Sequence, residues 1–124
     1  MAHLKDTKAL VIVTGASRGF GRCVAQLVAQ NVKPGSLFIL MARSKNGLKE
    51  TEGNITEKNP GVLCRVASLD NAKADGEDYK RIIDCAMSDV GVRATDFETV
   101  VMVHNAGSLG NQGTPTVEMT STKG

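Results

Sequence analysis

Aromatic residues are scarce in this 124-residue chain: one tyrosine, three phenylalanines and no tryptophan. That leaves no stacking platform for single-stranded nucleic acid. Lysine and arginine only just outnumber the acids, for a formal charge of +2, and no basic run forms a patch. Nothing here calls for a nucleic-acid partner. Long apolar runs are missing, so no stretch reads as membrane-spanning and none as a secretory leader. The three cysteines, Cys23, Cys64 and Cys85, are odd in number and lack metal-ligand spacing. They read as small, reduced core residues, which fits a cytoplasmic setting and predicts no metal site. An apolar content of 41% against 23% charged residues is that of a globular domain, and the length allows one.

What the chain does have is a strand, a glycine turn and a helix in succession. Ala9 to Val13 is apolar without alternation, as in a parallel strand covered on both faces. Gly15, Gly19 and Gly21 follow at G-x-x-x-G-x-G spacing. Gly15 allows a sharp turn, and Gly19 and Gly21 remove side chains where a ligand or the sheet must come close. Phe20, Val24, Leu27 and Val28 then recur at helical spacing and predict one apolar stripe. The opening of such a helix offers free N–H groups and the positive end of its dipole, a place for a pyrophosphate.

The rest of the chain repeats the alternation. Leu37 to Met41 is a second apolar run, ending in Ala42-Arg43-Ser44. Asn46 to Asn59 reads as a helix weakened by Gly47 and Gly53. Val62 to Ser68 is a third strand, followed by Leu69-Asp70. Tyr79, Ile82, Ile83, Ala86, Met87 and Val90 place one stripe on a helix over 78–90. Val92 to Glu98 reads as a loop, Thr99 to Val103 as a fourth strand, and the region after Gly113 as polar turns. The expected fold is α/β, a Rossmann-like doubly wound parallel sheet cut to about four strands in the order 3-2-1-4. The fourth strand would then lie bare at an edge and predicts homo-oligomerisation or aggregation unless a partner covers it.

The end of the second strand bears on the cofactor. A site for NAD places an acid there for the ribose hydroxyls. Here an acid is missing and Arg43 is present, which suits a 2′-phosphate; Arg18 in the glycine turn could close on the same group.

Thr14-Gly15-Ala16-Ser17-Arg18-Gly19-Phe20-Gly21 resembles the cofactor motif of the short-chain dehydrogenase/reductases. Pro34-Gly35-Ser36, Ala42-Arg43-Ser44 and Asn105-Ala106-Gly107-Ser108-Leu109-Gly110 strengthen the likeness, which covers nearly the whole chain. It implies that Gly15, Ser17, Arg18, Gly19, Phe20, Gly21, Arg43 and Ser44 hold NADP(H). Leu69 and Asp70 would lie at the adenine, with Ser68 competing for that position if the register slips by one. Asn105, Ala106 and Gly107 would line the nicotinamide ribose, with His104 where the family has a first Asn. Phe20 and Ser108-Leu109-Gly110 look most like a branch that reduces a pterin side-chain ketone in tetrahydrobiopterin synthesis, so the implied partner is a small carbonyl substrate.

The family's chemistry uses a serine, and a tyrosine with a lysine four residues after it. The tyrosine protonates the carbonyl oxygen while NADPH delivers hydride. This chain's single tyrosine is Tyr79, and Ile83 stands four residues beyond. No catalytic residue is therefore assigned, and residues 1–124 resemble the N-terminal, NADP-binding half of a reductase. Three readings stay open: part of an NADPH-dependent carbonyl reductase, a nucleotide-binding module without turnover, and an interaction partner of full-length subunits.

Overall fold

A computed structural model describes residues 7–17, 19–70, 73 and 75–104, and the backbone of 116–121. Four parallel strands alternate with three helices. They are β1 (Ala9–Thr14), α1 (Gly19–Ala29), β2 (Leu37–Ala42), α2 (Lys45–Lys58), β3 (Leu63–Ser68), α3 (Gly76–Val90) and β4 (Thr99–His104). β1 and β2 are buried at every position, as their unbroken apolar runs require. The parallel strands stand in the order 3-2-1-4, with Leu10 beside Leu37 and Val100, and Phe38 beside Cys64.

Alternate strand residues divide the core into two layers. Val11, Val13, Phe38, Leu40 and Val101 face α1 and α2, meeting Ala25, Val28, Leu48 and Ile55. Leu10, Ile12, Leu37, Ile39 and Met41 face the other way, toward Ala86 and the half-buried stripe of α3. Asp75 caps α3, accepting from the Asp78 N–H at 3.0 Å while the Asp78 carboxylate accepts from the Asp75 N–H at 3.1 Å. A reciprocal cap of this kind contributes about 1 kcal/mol. The stretch from Val92 to Glu98 contains a 3-10 turn at Ala94–Asp96, and beyond it Phe97 is fully buried under the α3 layer.

The structure departs from the sequence expectation in three places. The first is the stripe on α1. Phe20 and Leu27 are 47% and 49% exposed, whereas Gly21, Ala25, Val28 and Ala29 are buried. Small residues let the helix lie close to the sheet, and that close face wins over the larger side chains, which turn outward. The second is the cysteines: only Cys64 is buried, while Cys23 and Cys85 are exposed. Burial in the apolar layer pushes the Cys64 thiol up to about 12, with Glu52 adding to the rise.

The third departure is a fifth strand, β5 (Thr116–Ser121), in the region read as polar turns. It pairs antiparallel with β4, Thr99 beside Ser121 and His104 beside Thr116, to complete a 3-2-1-4-5 sheet. β4 is therefore an interior strand, and the expectation of a bare edge at β4 is overturned. Thr116-Val-Glu-Met-Thr-Ser121 carries the β-branched and alternating character of a strand, a signal outweighed by its polar flanks. No helix among the described residues is long and apolar enough to cross a membrane.

Candidate cofactor site at the strand ends

The carboxyl ends of β1, β2, β3 and β4 open on one side of the sheet, and β1 and β4 flank the point where strand order reverses. Ligands of doubly wound sheets bind in the crevice at that point. The glycine turn leaves β1 there. Gly15 has φ +65° and Gly19 φ +59°, the left-handed region where a side chain would be strained. A Cβ at Gly21 would run into the Gly15 carbonyl oxygen, so the third glycine lets α1 start against the turn itself. A Cβ at Gly19 would meet nothing within 4 Å among the described residues, which leaves space over the helix start. The first turn of α1 carries no acid, so its N–H groups face that space without a competing negative charge.

Hydrogen bonds fix the turn to its surroundings. The Ala16 N–H donates to the Met41 carbonyl at 3.1 Å. The Thr14 hydroxyl donates to the Val103 carbonyl at 3.4 Å, linking the turn to β4. On its other side lies the β2–α2 junction. Ser44 caps α2, its hydroxyl accepting from the Gly47 N–H at 3.1 Å. Arg43 is exposed beside it, and its carbonyl accepts from the Ser68 hydroxyl at 3.1 Å. The Leu69 N–H donates to the Ala42 carbonyl at 2.8 Å, which sets Leu69 and the half-buried Asp70 beyond the end of β3.

Of the residues singled out from sequence, Gly15, Ser17, Gly19, Phe20 and Gly21 thus lie on the turn and helix start. Arg43 and Ser44 lie at the neighbouring strand end, and Leu69 and Asp70 at the one beyond. Arg18, Asn105, Ala106 and Gly107 lie outside the described residues. Ser68 is engaged with Arg43, while Asp70 accepts from the Lys73 N–H through its own carbonyl at 3.0 Å. Tyr79 packs half-buried against the α3 layer, and burial, then the Asp78 charge, raises its pKa above the ordinary value.

Sequence reasoning missed the residues that hold α2 against the turn: Arg22, Gly47 and Thr51. Thr51 is fully buried on the same face of α2 as Leu48 and Ile55. A hydroxyl at that spacing was the available signal, since a buried polar group needs a partner. Gly47, read as a helix weakener, instead makes room for Ser17: a Cβ there would stand 2.8 Å from the Ser17 Cβ.

No family model matches the chain. The chain is 33% identical to a sepiapterin reductase of Xenopus tropicalis over 82% of its own length and 37% of that protein's. A sepiapterin reductase of Bos taurus is 32% identical over 91% of the chain and 41% of the relative. A very-long-chain 3-oxoacyl-CoA reductase of Coccidioides immitis is 30% identical over 77% of the chain and 24% of the relative. Among solved structures, L-sorbose reductase from Gluconobacter frateurii, complexed with NADPH and L-sorbose, is similar with a TM-score of 0.65 and 25% identity. It covers 91% of the chain, which in turn covers 38% of it. The chain therefore spans well under half the length of the relatives it matches.

Proposed function

We propose, for a chain that belongs to the short-chain dehydrogenase/reductase family, that it forms the NADP-binding half of a carbonyl reductase resembling sepiapterin reductase. One observation carries this reading. A glycine turn pressed against the start of α1 stands beside a β2 end that offers Arg43 and no acid. When bound, the nicotinamide group supplies hydride. The chain's own residues bind and orient it. N–H groups at the start of α1 would donate to the pyrophosphate oxygens. The Arg43 guanidinium pairs with a 2′-phosphate, and Ser44 at the head of α2 borders the same group. By the family likeness Arg18 would close on the same phosphate. Asp70 would take the adenine amino group with Leu69 against the ring, and by the family likeness Asn105, Ala106 and Gly107 would line the nicotinamide ribose. The substrate class is a small carbonyl compound, a pterin ketone by the likeness to sepiapterin reductases, and the setting is cytoplasmic.

A second reading, a binding module without turnover, draws on Tyr79. It stands on the core-facing stripe of α3 with Ile83, not a lysine, four residues on.

Replacing Arg43 separates NADP from NAD. A charge-assisted hydrogen bond contributes about 1.5–3 kcal/mol, so Arg43→Ala should weaken NADPH roughly tenfold or more and leave NADH nearly unchanged. Fluorescence titration with both cofactors reads the difference. Equal loss for the two would defeat the assignment to a 2′-phosphate.

A further inference from the structure

The geometry points to Arg22 as a positioning residue that sets cofactor selectivity by joining α2 to the phosphate-binding turn. This inference rests on the reading of that turn as an NADP site.

Three segments meet at the Arg22 guanidinium. Its Nε donates to the Thr51 hydroxyl at 2.9 Å. Its Nη2 donates to the Gly47 carbonyl at 3.1 Å and also to the Ser17 carbonyl of the glycine turn. The Thr51 hydroxyl in turn lies 2.7 Å from the Ala16 carbonyl and 3.1 Å from the Gly47 carbonyl, its single proton serving one of them at a time. The Arg22 side chain is only 24% exposed, while Glu50, its ion-pair partner at 3.6 Å, is 69% exposed. An exposed pair of that kind adds little. The carbonyl and hydroxyl bonds are what hold the joint, and they already use the donors on Nε and Nη2. Arg22 is thus placed to shape the site while Arg43 stays exposed to meet a phosphate.

The joint is tight from the other side as well. A Cβ at Gly47 would stand 2.8 Å from both the Ser17 Cβ and the Ser17 carbonyl oxygen, and 3.2 Å from the Ser44 Oγ. The first turn of α2 therefore rests directly on the glycine turn. Arg43 and Ser44 immediately precede that first turn. Their distance from the pyrophosphate position is set by how α2 seats, and Arg22 fixes the seat. A planar fork of donors can reach turn and helix together, which a lysine ammonium on its flexible stem cannot reproduce. Loosening the joint displaces Arg43 relative to the turn. It should cost the cofactor that has a 2′-phosphate and spare the one that lacks it.

The test is a titration of the intact chain and three variants, Arg22→Met, Arg22→Lys and Gly47→Ala, with NADPH and NADH, alongside thermal melting. Arg22→Met should lose about tenfold or more in NADPH affinity and less than about threefold in NADH affinity. Arg22→Lys should recover only part of the NADPH loss, and it carries the test if Arg22→Met does not fold. Gly47→Ala, which pushes the helix off the turn without touching a charge, should lose the same selectivity. Parallel loss of both cofactors would make Arg22 merely structural and overturn the inference. So would an unchanged NADPH preference in folded Arg22 variants. A wild-type chain that binds neither cofactor would overturn the NADP reading itself, and this inference with it.

Discussion

Mixed with NADPH and a pterin ketone, the 124-residue chain should give no protein-dependent oxidation of the cofactor. A carbonyl reduction of this class needs a proton donor held beside the carbonyl oxygen with a pKa near the working pH. The single tyrosine here is Tyr79. It is packed on the α3 stripe, and burial followed by the Asp78 charge moves its pKa upward, away from that range. Ile83 stands four residues later, so the family's lysine is not available to lower it. Losing a positioned acid alone typically removes about 10²–10⁴ in rate. Absorbance at the NADPH band, followed with highly purified protein, measures the outcome. Oxidation that scales with protein concentration would contradict this.

Gly21→Ala should destabilise the chain and abolish cofactor binding together. The added Cβ would run into the Gly15 carbonyl oxygen and stand 2.9 Å from the Gly15 carbonyl carbon and 3.2 Å from the Ala16 Cα. Those are backbone atoms of the turn, and they cannot step aside as a flexible side chain can. Overpacking a well-fitted site costs about 1–3 kcal/mol, and backbone contacts put this case toward the upper end. Relief comes only by moving α1 off the turn, which would spoil the N–H groups proposed to hold the pyrophosphate. Gly53→Ala is the matched control. Its Cβ would meet nothing within 4 Å among the described residues, so it should stabilise by roughly 0.5–1 kcal/mol. Denaturant midpoints and NADPH titration on both variants decide the matter. A Gly21→Ala chain as stable as wild type and still binding would refute the close approach of α1 to the turn.

The parallel strands were legible from their apolar residues, unbroken in the fully buried β1 and β2 and interrupted by Arg65 in β3. β1 and β2 carry no polar residue before their last positions, and nothing but a doubly covered strand accommodates such runs. α2 lies within one residue of the expected ends despite Gly47 and Gly53, and Ser44 proved to be its cap. α1 was found, and Val24 and Val28 of its expected stripe do face the core, but Phe20 and Leu27 do not. Periodicity weighs large apolar residues, whereas packing distance at the glycine turn selected Gly21, Ala25 and Ala29. β5 was hidden because Thr116 to Ser121 lies among polar residues, and antiparallel pairing with β4 supplies what its own composition does not. Arg22 escaped notice for a related reason. A single charged residue on a helix reads as a solvated side chain until the carbonyls of Ser17 and Gly47 are seen to converge on it.

NADPH added to isotopically labelled chain, followed by backbone amide shifts, tests the central claim most directly. The account predicts saturable shifts at Gly15, Ser17, Gly19 and Gly21 on the turn and at Arg43 and Ser44 at the end of β2. NADH should reproduce the turn shifts and leave those at Arg43 and Ser44 small. Absence of saturable shifts at the turn, or shifts confined to α3 and the face of β3 beneath it, would contradict the account.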